Sequence, residues 1–389
     1  MNIDTVRFSH ILETGEFVGL NHFLSHAAFV VSHKNESVET LLGVLWYLPV
    51  NSPIIVVTNC PEGRLEEIKS SLAQHLTGHS RTYLVHQKDA IIASFFRECG
   101  VHAILDPEGK VVDGKGEGMY IGTLFALLLG YPQWVIFYDA DNFVPSALLE
   151  YTLAMGRLFM SAQASLTAYA DSDALLVGGP AQDPSVRDLH NVRICWASKP
   201  DLGSGDLHEK LLGRCTRVVS PLFSTLLEDR FGIRDYAIFT SNAGEQGMTI
   251  KTARALRFSS GYSVETFQLL DFLSKAADSH TRSAILQQYQ SKSPHFHDKK
   301  GDDHIRNMIG ESLGSFFLFE KFLPRQVRRH LKQVYRDLDL ELIYPTVYPA
   351  LQDLPVLADE MLVNHYKLFQ DTDNHDILLA IEGLPCVSL

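Results

Sequence analysis

WVIFYDADNFVP, residues Trp134–Pro145, joins five consecutive large apolar residues to two acids separated by one alanine. An uninterrupted β-branched and aromatic run of this length predicts a strand buried on both faces, the usual state of a central parallel strand. Upstream, Ala28–Val31, Ile54–Thr58 and Thr82–Val85 predict further strands. Val38–Leu48, Arg64–Leu76, Ala90–Glu98 and Met119–Leu129 carry helical patterns between them. This β-α-β-α order implies an α/β fold with a mostly parallel sheet and helices on both faces. Ligands of such sheets sit beyond the carboxyl ends of the strands. Asp139 and Asp141 therefore face the expected crevice.

Downstream the pattern weakens. Residues 161–190 are rich in Ala, Ser, Asp and Gly and read as an insertion, with order returning at Val192–Trp196. Asp271–Gln290 and Asn307–Asp337 read as helical, and the part after about Tyr344 is punctuated by proline. The chain has 389 residues and a formal charge of −12, which argues against nucleic acid as a partner. No apolar run approaches the ~18 residues of a membrane span. The first residues lack a basic segment followed by an apolar one, so no signal peptide is expected. Five dispersed cysteines (Cys60, Cys99, Cys195, Cys215, Cys386) suggest reduced thiols and a cytoplasmic protein.

Paired carboxylates at a strand end suit a divalent metal, Mg²⁺ or Mn²⁺, shared with substrate phosphates. The same acids could instead cap the helix that follows. Gly114-Lys115-Gly116-Glu117-Gly118 opens a helix, where close backbone approach, the helix dipole and the ammonium favour an anion. His86-Gln87-Lys88-Asp89 and His33-Lys34-Asn35-Glu36 each follow a strand and add polar groups at the same edge. Thr240–Thr249 is small and polar and suits either an anion-binding helix start or a capped turn. Pro294-His295-Phe296-His297-Asp298 offers two imidazoles, either of them a metal ligand or both surface histidines.

Taken in order, nine blocks resemble the mannosyl-3-phosphoglycerate synthase family: VVSHKNES, IIVVTN, HQKD, GKGEGM, FYDADNFVPSA, LGRCTRVVS, TSNAGEQGMT, FSSGYSVE and SPHFHDKKG. They cover roughly Ala28–Gly301. The resemblance implies a GT-A-type, Rossmann-like sheet, to which the helical pattern of the C-terminal part is added. It implies transfer of mannose from GDP-mannose to 3-phosphoglycerate with retention and a divalent metal, giving the precursor of the compatible solute mannosylglycerate. GDP-glucose is the nearest competing donor, and another small anionic acceptor is the alternative on the other side.

By the same resemblance, residues 1–150 form the nucleotide-sugar part ending in D-x-D. Residues 151–300 form the sugar and acceptor part, interrupted near 161–190; 301–389 show little of the resemblance and by their own pattern read as a mostly helical extension. Ser32, Lys34, Asn35, Glu36, Thr58 and Asn59 match base and ribose contacts. Gln87, Lys88 and Lys115 line the diphosphate side beside Ala140. Asp139 and Asp141 match the metal-binding pair, with Asp141 the more direct ligand, and His295 or His297 adds another. Arg214, Asn242, Ala243, Gly244 and Thr249 match blocks near sugar and acceptor; Asp139, Asp141, Lys115 and Arg214 are the catalytic set. Arg214 could instead pair with Glu209 or Asp206. Ser32 stands where the family has Pro, and Ser293 where it has Asn. The expected partners are small molecules, with a homodimer an open alternative. A haloacid-dehalogenase-type phosphatase also uses D-x-D after a strand, with later acids such as Asp302-Asp303. Its nucleophilic Asp, however, opens the first βα unit and precedes Gly-Thr, not Asn142-Phe143. A catalytically silent sugar-nucleotide-binding protein is disfavoured by the retained acids and histidines.

Overall fold

The computed structural model describes residues 2–7, 20–173, 189–196, 213–234, 237–278, 284–297, 301–355 and 360–369. One sheet is built from β1 (Asn2–Arg7), β2 (Ala27–His33), β3 (Ile54–Thr58), β4 (Thr82–His86), β5 (Trp134–Asp139), β6 (Leu189–Cys195), β7 (Gln246–Thr249) and, after the short β8 (Phe258–Ser259), β9 (Ala284–Gln290). Its order is β1-β9-β6-β7-β5-β2-β3-β4. β7 is antiparallel to both neighbours, and the other pairings in this sheet are parallel. β8 pairs separately with β10 (Val347–Tyr348). This is the expected α/β architecture.

The period of two along each strand divides the core. Val30, Val57, Val135 and Phe137 pack on one face with Met119, Tyr120 and Phe125 of the helix Lys115–Leu128. Phe29, Val56, Ile136 and Tyr138 pack on the other with Leu41 and Leu45 of helix Val38–Trp46 and with Tyr151 and Met155 of helix Ala147–Asp173. Each fully buried side chain of this kind contributes about 1.5–3 kcal/mol. A Cβ added at Gly122 would lie 2.2 Å from Val30 Cγ1, so glycine there allows the helix Lys115–Leu128 to lie close on β2.

Registers align the strand ends. Ser32 is opposite Asp139, His33 opposite Thr58, and Thr58 opposite His86, so the motifs after β2, β3, β4 and β5 share one edge. The outer edge at β4 is covered by the chain's own later segment: Leu84 N–H donates to Tyr366 O (3.0 Å) and Leu368 N–H to Thr82 O (2.8 Å). Covering an exposed edge removes a template for unwanted strand pairing.

Several expectations need correction. Asp271–Gln290 is not one helix: Val264–Ala276 is helical, but Ala284–Gln290 is a strand between β1 and β6. Ala, Leu and Gln favour helices in isolation, and pairing on both sides overrides that preference. The stretch 161–190 does not begin as an irregular insertion, because the helix Ala147–Asp173 runs through its first half and β6 starts at Leu189; residues 174–188 lie outside the described residues. Asn307–Asp337 divides into helices Asp302–Leu318 and Arg325–Asp337, the second starting behind Pro324. β7 and β1 were not anticipated, the first for want of apolar alternation. Glu209, Asp206, Asp298 and Cys386 lie outside the described residues. No helix among the described residues is long and apolar enough to cross a membrane.

Candidate active site

The centre of the crevice is a three-charge cluster. Lys115, the first residue of its helix, donates from Nζ to Asp139 Oδ2 (2.7 Å) and to Glu265 Oε1 (2.6 Å). Burial alone would lower the ammonium's pKa, but the two carboxylates outweigh it and hold the value well above the ordinary lysine range. Lys115 therefore stays charged, and its charge is committed to two acids. In this arrangement its hydrogen bonds run to Asp139 and Glu265. Gly244 closes over this pair: a Cβ there would lie 2.3 Å from Asp139 Oδ2 and 2.8 Å from Lys115 Nζ. The chain reaches Gly244 because β7 runs back between β5 and β6, with Gln246 opposite both Phe137 and Arg193.

Two residues beyond Asp139, Asp141 Oδ1 lies 3.8 Å from His295 Nε2. The other ring nitrogen of His295, Nδ1, lies 3.4 Å from Glu245 Oε1, and the ring stacks on Trp196 with centroids 4.4 Å apart. The His297 ring lies edge-on to His295 at 5.5 Å, so both imidazoles stand at this end of the crevice. The histidine segment is anchored from two sides. Phe143 N–H donates to Phe296 O (2.7 Å), tying it to the D-x-D loop. Glu150 accepts from Tyr289 OH (2.8 Å), Lys292 N–H (2.7 Å) and Ser293 N–H (2.8 Å). Position 293 is held through its backbone, so this contact survives the exchange of Asn for Ser.

These residues fit a divalent metal. A separation of 3.8 Å is too long for a hydrogen bond but within the span of two ligands on one ion with bonds of about 2.1 Å. Among the described residues no group of three or more His, Cys, Asp or Glu side chains forms a ready cage. Glu245 Oε1, 3.4 Å from Nδ1, stands on the side where a metal-bound imidazole usually has its second partner.

The neighbouring strand ends form a polar wall. The Glu36 carboxylate accepts from Lys34 N–H (2.8 Å) and Asn35 N–H (3.1 Å), folding the loop on itself. His33 Nδ1 meets Thr58 Oγ1 (2.8 Å), and its burial lowers the imidazole pKa. Lys34 pairs with Asp113 (3.0 Å), and Asn59 Nδ2 also donates to Asp113. Gln87 is buried and donates to Val112 O, while Asp89 caps helix Ala90–Glu98 by accepting from Ile91 N–H (2.8 Å). Lys88 is half-buried beside it and makes no ion pair with a described residue. Ser32 accepts from Ala140 N–H through its carbonyl (3.0 Å).

On the other side, a cavity of about 240 Å³ is lined by Trp196, Gly213, Thr216, Thr240, Asn242 and Ala243 among others. Arg214 opens helix Arg214–Phe231 next to it and pairs with Asp302 (2.6 Å). Asn242 fits the ligand-contact reading only through its backbone, because its side chain bonds Ser241, Thr266 and Ser312. Thr249 is misplaced in that reading altogether. It lies opposite Trp134, at the amino end of β5, and caps helix Ile250–Ala255 by accepting from Thr252 N–H. Sequence reasoning missed Glu150, Glu245, Glu265 and Arg193. Glu245 and Glu265 sat inside quoted blocks, but nothing in their spacing marked them.

The family model described as mannosyl-3-phosphoglycerate synthase matches residues 8–358 of this chain. The mannosyl-3-phosphoglycerate synthase of Pyrococcus furiosus is 30% identical over 321 residues, 79% of this chain and 75% of that protein. The enzyme of the same name from Aeropyrum pernix is 28% identical over 310 residues, 76% of this chain and 74% of that protein. Among solved structures, mannosyl-3-phosphoglycerate synthase from Rubrobacter xylanophilus aligns with a TM-score of 0.45 and 17% identity, over 86% of this chain and 82% of that one.

Proposed function

The chain belongs to the mannosyl-3-phosphoglycerate synthase family, a family of glycosyltransferases, and from this we propose that it moves mannose from GDP-mannose to 3-phosphoglycerate with retention at the anomeric carbon. The observation that carries the reading is Asp141 facing His295 at the carboxyl end of β5, beside the ammonium-locked Asp139. Asp141 and His295 would hold a divalent ion, which when bound would supply positive charge against the departing diphosphate. Lys115 holds the Asp139 carboxylate in one place, and the Glu245 carboxylate lies beside the imidazole. Lys88, uncommitted to any described acid, offers a point charge to the diphosphate. Leaving-group stabilisation is where catalysis must act, because negative charge develops there as the glycosidic bond loosens. The bound sugar reaches toward the cavity at Asn242 and Ala243, and Ser32 in the first loop is the residue to examine for base preference.

The acceptor side rests on Arg214. One partner, Asp302, is almost fully exposed, and an exposed pair contributes little, so an incoming phosphate or carboxylate can replace that contact. A guanidinium binds either group bidentately. Arg214→Ala is therefore expected to weaken acceptor binding by about 2 kcal/mol, roughly thirtyfold in KM, with donor affinity nearly unchanged. Parallel KM measurements for both substrates test this. Equal KM values for the acceptor in both proteins would place the acceptor site elsewhere.

A further inference from the structure

Arg193 stands within β6 with 1% of its surface exposed. All of its guanidinium bonds run to neutral oxygens. Nε donates to Thr240 O (2.9 Å), Nη1 to Gln246 Oε1 (2.6 Å), and Nη2 to Glu265 O (3.2 Å) and Ser241 O (3.5 Å). Burial lowers its pKa to about 10, against the opposing pull of the nearby Glu265 carboxylate, so the group remains a cation at neutral pH. Enclosing a charge among neutral acceptors is costly unless its donors are used. Here the planar fork reaches two chain segments that are far apart in sequence. One, 240–245, carries Gly244 over Asp139 and, through Thr240, Asn242 and Ala243, lines the acceptor-side cavity. The other begins helix Val264–Ala276 and carries Glu265, which holds Lys115.

We infer that Arg193 is a positioning residue that fixes the spacing of these two segments and so sets the acceptor wall of the crevice. The role rests on the functional reading above, but the coupling it describes does not. Lysine keeps the charge and cannot reproduce the fork. In Arg193→Lys, amide hydrogen exchange is expected to quicken together in 238–246 and 258–266, with β2, β3 and β4 unchanged. Acceptor KM should rise about tenfold or more, since small misplacement near reacting groups carries a large penalty, while donor KM stays within about threefold. A merely structural loss would lower the folded fraction and leave both KM values alone. Gln246→Met removes one acceptor and leaves the three backbone bonds, so it should shift the same readouts less far. If the lysine variant does not fold, this second variant decides on the same measurements. Faster exchange in only one segment, or an unmoved acceptor KM in an active enzyme, overturns the inference. A wild-type protein that forms no mannosylated product sinks the functional reading instead, and the exchange data still decide the coupling.

Discussion

Asp141→Ala is expected to reduce transfer by at least about a thousandfold while leaving the fold intact. The carboxylate is at the crevice, 20% exposed, and no hydrophobic core depends on it. Losing one preorganised stabiliser of developing charge typically costs about 3–4 kcal/mol, a factor of 10²–10³, and losing the ion itself costs more. Calorimetric titration with Mn²⁺ and GDP reads the cause separately from turnover. The variant should lose metal-dependent nucleotide binding and keep the wild-type far-ultraviolet circular dichroism. His295→Ala should act in the same direction, because Asp141 and His295 flank the same position. An Asp141→Ala enzyme that transfers at the wild-type rate would remove the metal from the account.

The second large effect is on stability. Lys115→Met places two carboxylates, Asp139 and Glu265, side by side with no cation between them. Removing one member of a buried ionic group costs about 3–5 kcal/mol, and the 24% exposure of Asp139 puts the expected loss near the lower figure, about 3 kcal/mol. Urea unfolding at neutral pH measures it. The sign of the wild-type pH dependence follows from the raised lysine value. A lysine whose folded pKa lies above its unfolded one contributes fully below the unfolded value, near 10.4, and loses that contribution only as pH rises through the folded one. The cluster should therefore leave stability flat from pH 6 to 9 and weaken it only in strong alkali. A Lys115→Met protein as stable as the wild type would mean that the ammonium holds nothing in place.

How far these features could be read from the chain depends on what each one rests on. The parallel half was legible because β2, β3 and β5 are apolar runs long enough to need cover on both faces, and each ends in polar residues. Asp139, Asp141 and Lys115 could be placed at one edge from strand order alone. β9 was illegible because AILQQYQ has helical propensity, and only its two neighbours make it a strand. β7, QGMT, is four residues long and has no alternation to detect. The same reversal misled the reading of Thr249, since one antiparallel strand carries its end to the far side of the sheet. Glu245, Glu265 and Arg193 act through neighbours brought from distant segments, and such contacts leave no local period. The histidine pair illustrates the boundary. Two imidazoles were visible in PHFHD, while the approach of His295 to Asp141, Glu245 and Trp196 needed the fold.

The most direct measurement is mass-spectrometric detection of product from GDP-mannose and 3-phosphoglycerate with Mg²⁺ or Mn²⁺, with and without EDTA, and with anomeric configuration read by proton NMR. The account predicts an α-linked mannosyl-3-phosphoglycerate that forms with either metal and disappears in EDTA. Product formation unaffected by EDTA, or turnover of a different nucleotide sugar with none of GDP-mannose, would contradict it.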